Sequence, residues 1–264
     1  MLKRILSIST WILSAAALVA LLGFARYTHF NTPIQGLELI IQAQADGGFI
    51  DHAEMNQNIR TLTGIEEAKP LKSIHIKTIR SKLQDNPYIE KTEAFTTIEG
   101  HLKVKLFERK PILRIYTQSN QSFYIDHEGI IFPTHPYYIA HVLVANGHVE
   151  PITLGIKHTV NIHGKEFLQS PLKDIDVLAN AIYQDEFLKV LIDQIYFNSL
   201  GQFELTPKIG MATILIGDSQ NLDQKLENIS IFFKSKATSQ ELLNYSIINA
   251  MYTNQIVCTK RDTL

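Results

Sequence analysis

The sequence predicts an α+β chain in three parts: an N-terminal transmembrane helix, a small β-α-α-β-β domain, and a larger, sheet-dominated domain of mixed strands and helices. Three observations carry that prediction. The run Ile5–Ala25 holds 21 residues without a charge, bracketed by Lys3-Arg4 and Arg26. The stretch Asn86–Pro111, NPYIEKTEAFTTIEGHLKVKLFERKP, contains two extended runs joined at Ile98-Glu99-Gly100. Beyond Pro111, short apolar runs alternate with Gly-containing turns, the pattern of a sheet-rich domain.

The N-terminal run comes first. At about 1.5 Å per residue, 21 helical residues cover about 31 Å, against a bilayer core of about 30 Å. A cleaved signal peptide has a shorter apolar core and a small-residue cut site. Here the run is longer, and Leu21-Leu22-Gly23-Phe24 offers no such site, although Ala15-Ala16-Ala17 leaves a cut inside the run open. Lys3, Arg4 and the amino group outweigh Arg26 and His29, which favours a cytoplasmic N-terminus. Residues 1–4 are then a cytoplasmic tail, 5–25 a signal anchor, and the working part lies beyond the membrane.

Residues 36–108 form the small domain. Leu37–Ile41 is an apolar strand, broken at Asp46-Gly47-Gly48. Asp51 with Glu54 three residues on is an N-terminal capping pair; Met55, Ile59 and Leu62 follow at helical spacing, and Gly64 stops the helix. A second amphipathic run puts Ile76, Ile79 and Leu83 on one face before Asn86-Pro87 ends it. In the second hairpin run, Leu102, Val104 and Leu106 point one way and His101, Lys103 and Lys105 the other, a half-buried strand.

Residues 109–264 form the larger domain. Leu113 and Ile115 alternate with Arg114, and Phe123 and Ile125 with Tyr124; Asp126-His127-Glu128-Gly129 is a turn whose carboxylates are expected in solvent. His141–Ala145 is an apolar strand expected to be buried on both faces, and Asn146–Gln169 a loop. Ser170-Pro171 starts a helix with Leu172, Ile175, Leu178, Ala179 and Ile182 as its stripe. Strands follow at Ile192–Phe197, Phe203–Leu205 and Thr213–Ile216. Asn221 with Gln224 opens a helix lined by Leu222, Leu226, Ile229 and Phe233, and Ile247–Met251 and Gln255–Cys258 end the chain as extended segments.

Composition excludes several functions. The formal net charge is −1 with no run of like charge, against a nucleic-acid binder. One cysteine, Cys258, cannot form an internal disulfide or a cysteine-based zinc site. Neither GxSxG, HExxH, a P-loop, GxGxxG nor paired CxxC occurs. His158 and His163 are five apart, and His127, His135, His141 and His148 are scattered, with no metal-ligand spacing. Asp174 and Asp176 suit the positive end of a helix dipole better than catalysis. These residues imply no cofactor, no metal and no small-molecule substrate. An envelope hydrolase would have to use Asp126 and Glu128, and an assembly or secretion chaperone is the other alternative to a scaffold.

The helix ending in NPYI, the hairpin closing on ERKP (Glu108–Pro111), the block FYIDHEGIIFP (Phe123–Pro133) and the ending YSIINAMYTNQIVCTKR (Tyr245–Arg261) together resemble the FtsQ/DivIB family of bacterial cell-division proteins, in their Bacteroidetes-like form. The resemblance implies that 36–108 is a POTRA domain and 109–264 the β-rich FtsQ-type domain. It implies a bitopic, non-enzymatic divisome scaffold of the inner membrane, at the septum with its bulk periplasmic. In relatives, FtsB/FtsL-like partners add a strand beside the C-terminal strand. Carried onto this chain, that partner-binding edge falls on Tyr252, Asn254, Gln255, Ile256 and Val257, with Tyr252 as the aromatic anchor. An exposed POTRA sheet edge could accept a strand by the same physics.

Overall fold

In the computed structural model, which describes residues 2–31, 33–43, 47–65, 70–152, 159–236 and 240–261, the N-terminal apolar run is helical from Leu2 to Asn31 (α1). Within it, Ser9–Thr28 is long and apolar enough to cross a membrane, and none of that span is buried by the rest of the chain. The helix continues past the apolar run through Asn31; Asp46 of the expected break lies outside the described residues. Local bonds carry the last turn onward: Thr28 Oγ1 donates to Phe24 O at 2.7 Å, and Asn31 Nδ2 to Tyr27 O at 2.9 Å.

The chain divides into two units, Met1–Glu108 and Arg109–Leu264. After α1, the first contains β1 (Gly36–Gln42), α2 (His52–Thr63), α3 (Ile76–Gln84), β2 (Ile89–Thr96) and β3 (His101–Glu108). The sheet order is β1-β3-β2, with β1 parallel and β2 antiparallel to β3. Its inner face supplies Leu102, Val104, Leu106 and Ala94, which meet Met55, Ile59, Ile79 and Leu83 from the helices. The α2 capping forms as read: Asp51 accepts the Glu54 N–H at 2.7 Å, and Gly64 takes the left-handed conformation, φ 60°, that glycine adopts without a Cβ penalty. Leu62, in the last turn of α2, is exposed.

β3 closes on a buried carboxylate. Glu108 accepts the backbone N–H groups of Phe49 and Ile50, and its second oxygen has no partner among the described residues. Burial pushes its pKa up, and the two amides only partly offset that.

The second unit is a ten-stranded sheet among the described residues. Its strands are β4 (Pro111–Tyr116), β5 (Ser122–Asp126), β6 (Ile130–Pro133), β7 (Leu143–Gly147), β8 (Val160–Asn161), β9 (Ile192–Phe197), β10 (Phe203–Pro207), β11 (Thr213–Gly217), β12 (Tyr245–Asn249) and β13 (Val257–Lys260), in the order β13-β12-β11-β10-β9-β7-β4-β5-β6-β8. Three helices, α4 (Leu172–Gln184), α5 (Glu186–Leu191) and α6 (Leu222–Lys236), bury their stripes against one face. Two were expected. α5 is a short separate helix because Asp185 caps it, accepting from Phe187 N and Leu188 N at 2.8 and 3.0 Å.

Further differences from the sequence reading have visible causes. Tyr124 is buried, not outward-facing, because the β6–β7 connection covers it; Ala140 N–H donates to its hydroxyl at 3.1 Å. β7 starts two residues later than read, and only Ala145 of it is buried. The stretch 146–169 contains β8 and a 3-10 turn at Lys165–Phe167; residues 153–158 lie outside the described residues. Asn221 directly precedes α6 at φ 49°, its carbonyl accepting the Lys225 N–H at 3.1 Å, and Gln224 bonds forward to Glu227 and Asn228.

Candidate partner-binding edge

The sheet of the larger unit ends at β13. Upstream, β12 runs parallel to β11, with Thr213 opposite Ile247 and Leu215 opposite Asn249. Ile248 and Ala250 are buried, which fixes β12 as part of the core. The chain then turns: Met251 N–H donates to Asn249 Oδ1 at 3.0 Å, and Asn228 Nδ2 of α6 holds Thr253 O at 2.8 Å. It returns as β13, antiparallel, with Val257 opposite Asn249 and Cys258 opposite Ile248. Val257 and Thr259 are β-branched, which suits a strand. Among the described residues nothing pairs with the outer side of β13.

The direction of the free backbone groups follows from two bonds. Arg261 N–H donates to Asn244 O at 2.6 Å, and Ser246 Oγ donates to Thr259 O at 3.3 Å. Both groups therefore face β12. Ser246 Oγ also donates to Lys260 O at 3.5 Å; because strand backbone groups alternate in direction, the N–H and C=O of Cys258 and the N–H of Lys260 turn outward. They form a short open rim of the kind that accepts another chain.

The five residues to which the resemblance assigns a partner-binding edge fall on two different kinds of structure. Tyr252, Asn254, Gln255 and Ile256 lie in the connection between β12 and β13, and Val257 alone of the five is on the edge strand. Gln255–Cys258 was expected as one extended segment. In the fold, however, Ile256 packs on the core from the loop, and pairing begins only at Val257. Tyr252 and Val257 remain 53% and 45% exposed beside the rim. Thr259, Lys260 and Arg261, which the sequence reading did not assign, complete the surface. Arg261 bonds Met211 O at 3.1 Å and so ties the strand end to the sheet.

The lone thiol sits where the thiolate is disfavoured. Cys258 packs against the core cluster, and burial pushes its thiol up, with only a partial opposing effect from Lys236. Lys236 is paired with Glu241 next to the edge.

The acidic residues are engaged in structure. Arg109 Nη1 meets Asp126 Oδ2 at 2.5 Å with both side chains buried, and Asp126 Oδ1 accepts from Glu128 N and Ile130 N, each at 2.9 Å. The expectation of a solvated Asp126 is thus corrected: the turn is built around its buried carboxylate, while Glu128 is exposed. Asp176 is 3% exposed and accepts from Asn180 Nδ2 at 3.1 Å. Burial raises its pKa to about 6; His163 opposes this and Asp126 reinforces it. Asp174 accepts from Ser219 Oγ at 3.1 Å. His158 lies outside the described residues, and among those described no three His, Cys, Asp or Glu side chains converge as a metal site.

Comparison with known proteins points to one group. The family model described as "FtsQ/DivIB, C-terminal related" matches residues 110–259, ending inside β13, and the model described as "POTRA-like domain" matches residues 34–107. A relative described as "Cell division protein FtsQ", from Geobacter sp. (strain M21), is 22% identical over 257 residues, covering 93% of this chain and 85% of the relative.

Proposed function

Because this chain belongs to the FtsQ/DivIB family, we propose that it is a membrane-anchored, non-enzymatic scaffold of the division complex that takes up an FtsB/FtsL-like partner as an added strand on β13. α1 anchors the protein in the inner membrane with its N-terminus in the cytoplasm, residues 36–108 and 109–264 stand on the outer side, and the protein gathers at the septum. The observation that carries this reading is the position of β13 at the end of the sheet order, with the N–H and C=O of Cys258 and the N–H of Lys260 directed outward.

Magnitudes say what else the site needs. The three outward groups give up to three backbone hydrogen bonds, each worth about 0.5–1.5 kcal/mol net. Association costs roughly 4–15 kcal/mol in lost freedom. The rim therefore sets register and direction, and side chains must supply the rest. Tyr252, an aromatic with a polar tip, and Val257 are the exposed apolar groups at hand. Lys260 and Arg261 add positive charge at the end of the strand, which favours an acidic partner segment.

A proline at Lys260 removes one outward N–H and places a ring where the partner strand would lie, yet leaves the N–H groups that face β12. Lys260→Pro should weaken capture of the FtsB/FtsL-like pair at least tenfold, about 1.4 kcal/mol, while circular dichroism and melting stay those of the parent. Parental capture by a folded Lys260→Pro protein would rule out strand addition at this edge. Tyr252→Glu tests the flanking anchor in the same assay.

A further inference from the structure

One end of the smaller unit is built against the point where α1 leaves the apolar span. Lys72 Nζ donates to Asn31 Oδ1 at 2.7 Å, Pro33 bridges to Pro70, and Ile34, Ile65 and Leu71 are buried together beneath them. β1 and β3 start at this end, since Gly36 pairs with His101 and Gln35 N–H donates to Gly100 O at 2.9 Å. The turn between β2 and β3 is therefore here too, and its tip carries Ile98, 91% exposed. Lys72, His75 and Lys77 are exposed on the neighbouring segment. From Ile65 to Gln84 the sequence holds five Lys or Arg against Glu66 and Glu67; Glu99 beside Ile98 adds one acid.

Distances place this end in the headgroup layer. The apolar span ends at Thr28, so Asn31 is three residues further on, about 4.5 Å along the helix. Headgroups add roughly 5–7 Å on each side of the hydrocarbon core. A cation bonded to Asn31 is thus already among lipid headgroups. An isoleucine at a turn tip, which solvent disfavours, can bury itself at that boundary.

We propose that this end of the POTRA-like unit rests on the bilayer, with Ile98 dipping into the interface and Lys72 and Lys77 on the phosphates of anionic lipids. The unit is then held in one orientation at the membrane instead of swinging on its tether. This inference rests on the reading of α1 as the anchor, and lipid is the occupant because the surface is continuous with the spanning helix.

The test uses the full chain carrying Cys258→Ser, in nanodiscs of phosphatidylcholine with or without phosphatidylglycerol, with brominated lipid as quencher. Bimane is attached through Glu99→Cys beside the tip, through Leu18→Cys inside α1, or through Glu90→Cys at the far end of β2. Strong quenching is expected at position 18 in both lipids. At 99 it should be clear and stronger in the anionic bilayer; at 90 it should be absent. Ile98→Ser, and separately Lys72→Gln with Lys77→Gln, should bring the signal at 99 down toward that at 90. If 18 is quenched while 99 matches 90, a partner protein or solvent covers this end and the proposal is overturned. If 99 is quenched equally in both lipids, the role given to anionic headgroups is overturned. An unquenched 18 would instead sink the anchor reading itself.

Discussion

Replacing Asp176 by asparagine should make the protein more stable at neutral pH, and by an amount that depends on pH in a definite way. Asp176 lies on α4, 3% exposed, with one neutral donor, Asn180, at 3.1 Å and no cation bonded to it among the described contacts. Burial raises its pKa to about 6 from an ordinary 3.8. The folded protein therefore holds this proton more tightly than the unfolded chain. Below pH 4 the group is protonated in both states and costs nothing. Between pH 4 and 6 the unfolded chain ionises first, so stability falls as pH rises. Above pH 6 the full cost is present, about 3 kcal/mol for a shift of about two units. Asp176→Asn is neutral at every pH and keeps the shape. It should raise the melting point of the larger unit at pH 8 by about 6–12 °C, at roughly 2–4 °C per kcal/mol, and leave it unchanged at pH 4. Near-UV circular dichroism melts of the full chain in detergent micelles over that pH range would show this. A variant no more stable than its parent at pH 8, or a gain that persists undiminished at pH 4, would refute the reasoning.

Two other substitutions probe the same unit. Arg109→Met leaves the buried carboxylate of Asp126 without its cation, and such losses cost about 3–5 kcal/mol; the melting point should drop accordingly, and an unchanged value would show that the pair is solvated. Gly147→Ala combines a φ of +109° with a Cβ directed at the Phe197 carbonyl across the β7–β9 pairing. A loss of about 2 kcal/mol or more is expected, read by chemical denaturation, and a neutral outcome would contradict the close approach of these strands.

Local signals made much of the fold legible. The alternation of Leu102, Val104 and Leu106, the Asp51 cap and the Gly64 stop are each set by neighbours within a few residues, and each appears in the structure. The stripe Leu222, Leu226, Ile229 and Phe233 is buried as read. What escaped depends on partners far along the chain. Asp126 reads as a surface turn residue until Arg109, 17 positions earlier, is seen beside it. Tyr124 reads as outward until the segment around Ala140 folds over it. β8 has two residues, too few for any period.

The candidate edge shows the same division. The segment could be placed near the C-terminus, but periodicity cannot say where a chain stops turning and starts pairing. Ile256 and Val257 are both good strand residues, and only the Asn249–Val257 pairing separates loop from strand. Which groups point outward is likewise set by the Arg261–Asn244 bond and not by any side-chain pattern.

Residue-resolved amide hydrogen exchange on the full chain, with and without the FtsB/FtsL-like pair, is the most direct test of partner uptake on β13. Exchange at Cys258 and Lys260 should slow markedly once the pair is bound, while Val257 and Thr259, already facing β12, change little. A complex that forms with both outward amides exchanging as fast as before would mean that the partner sits elsewhere.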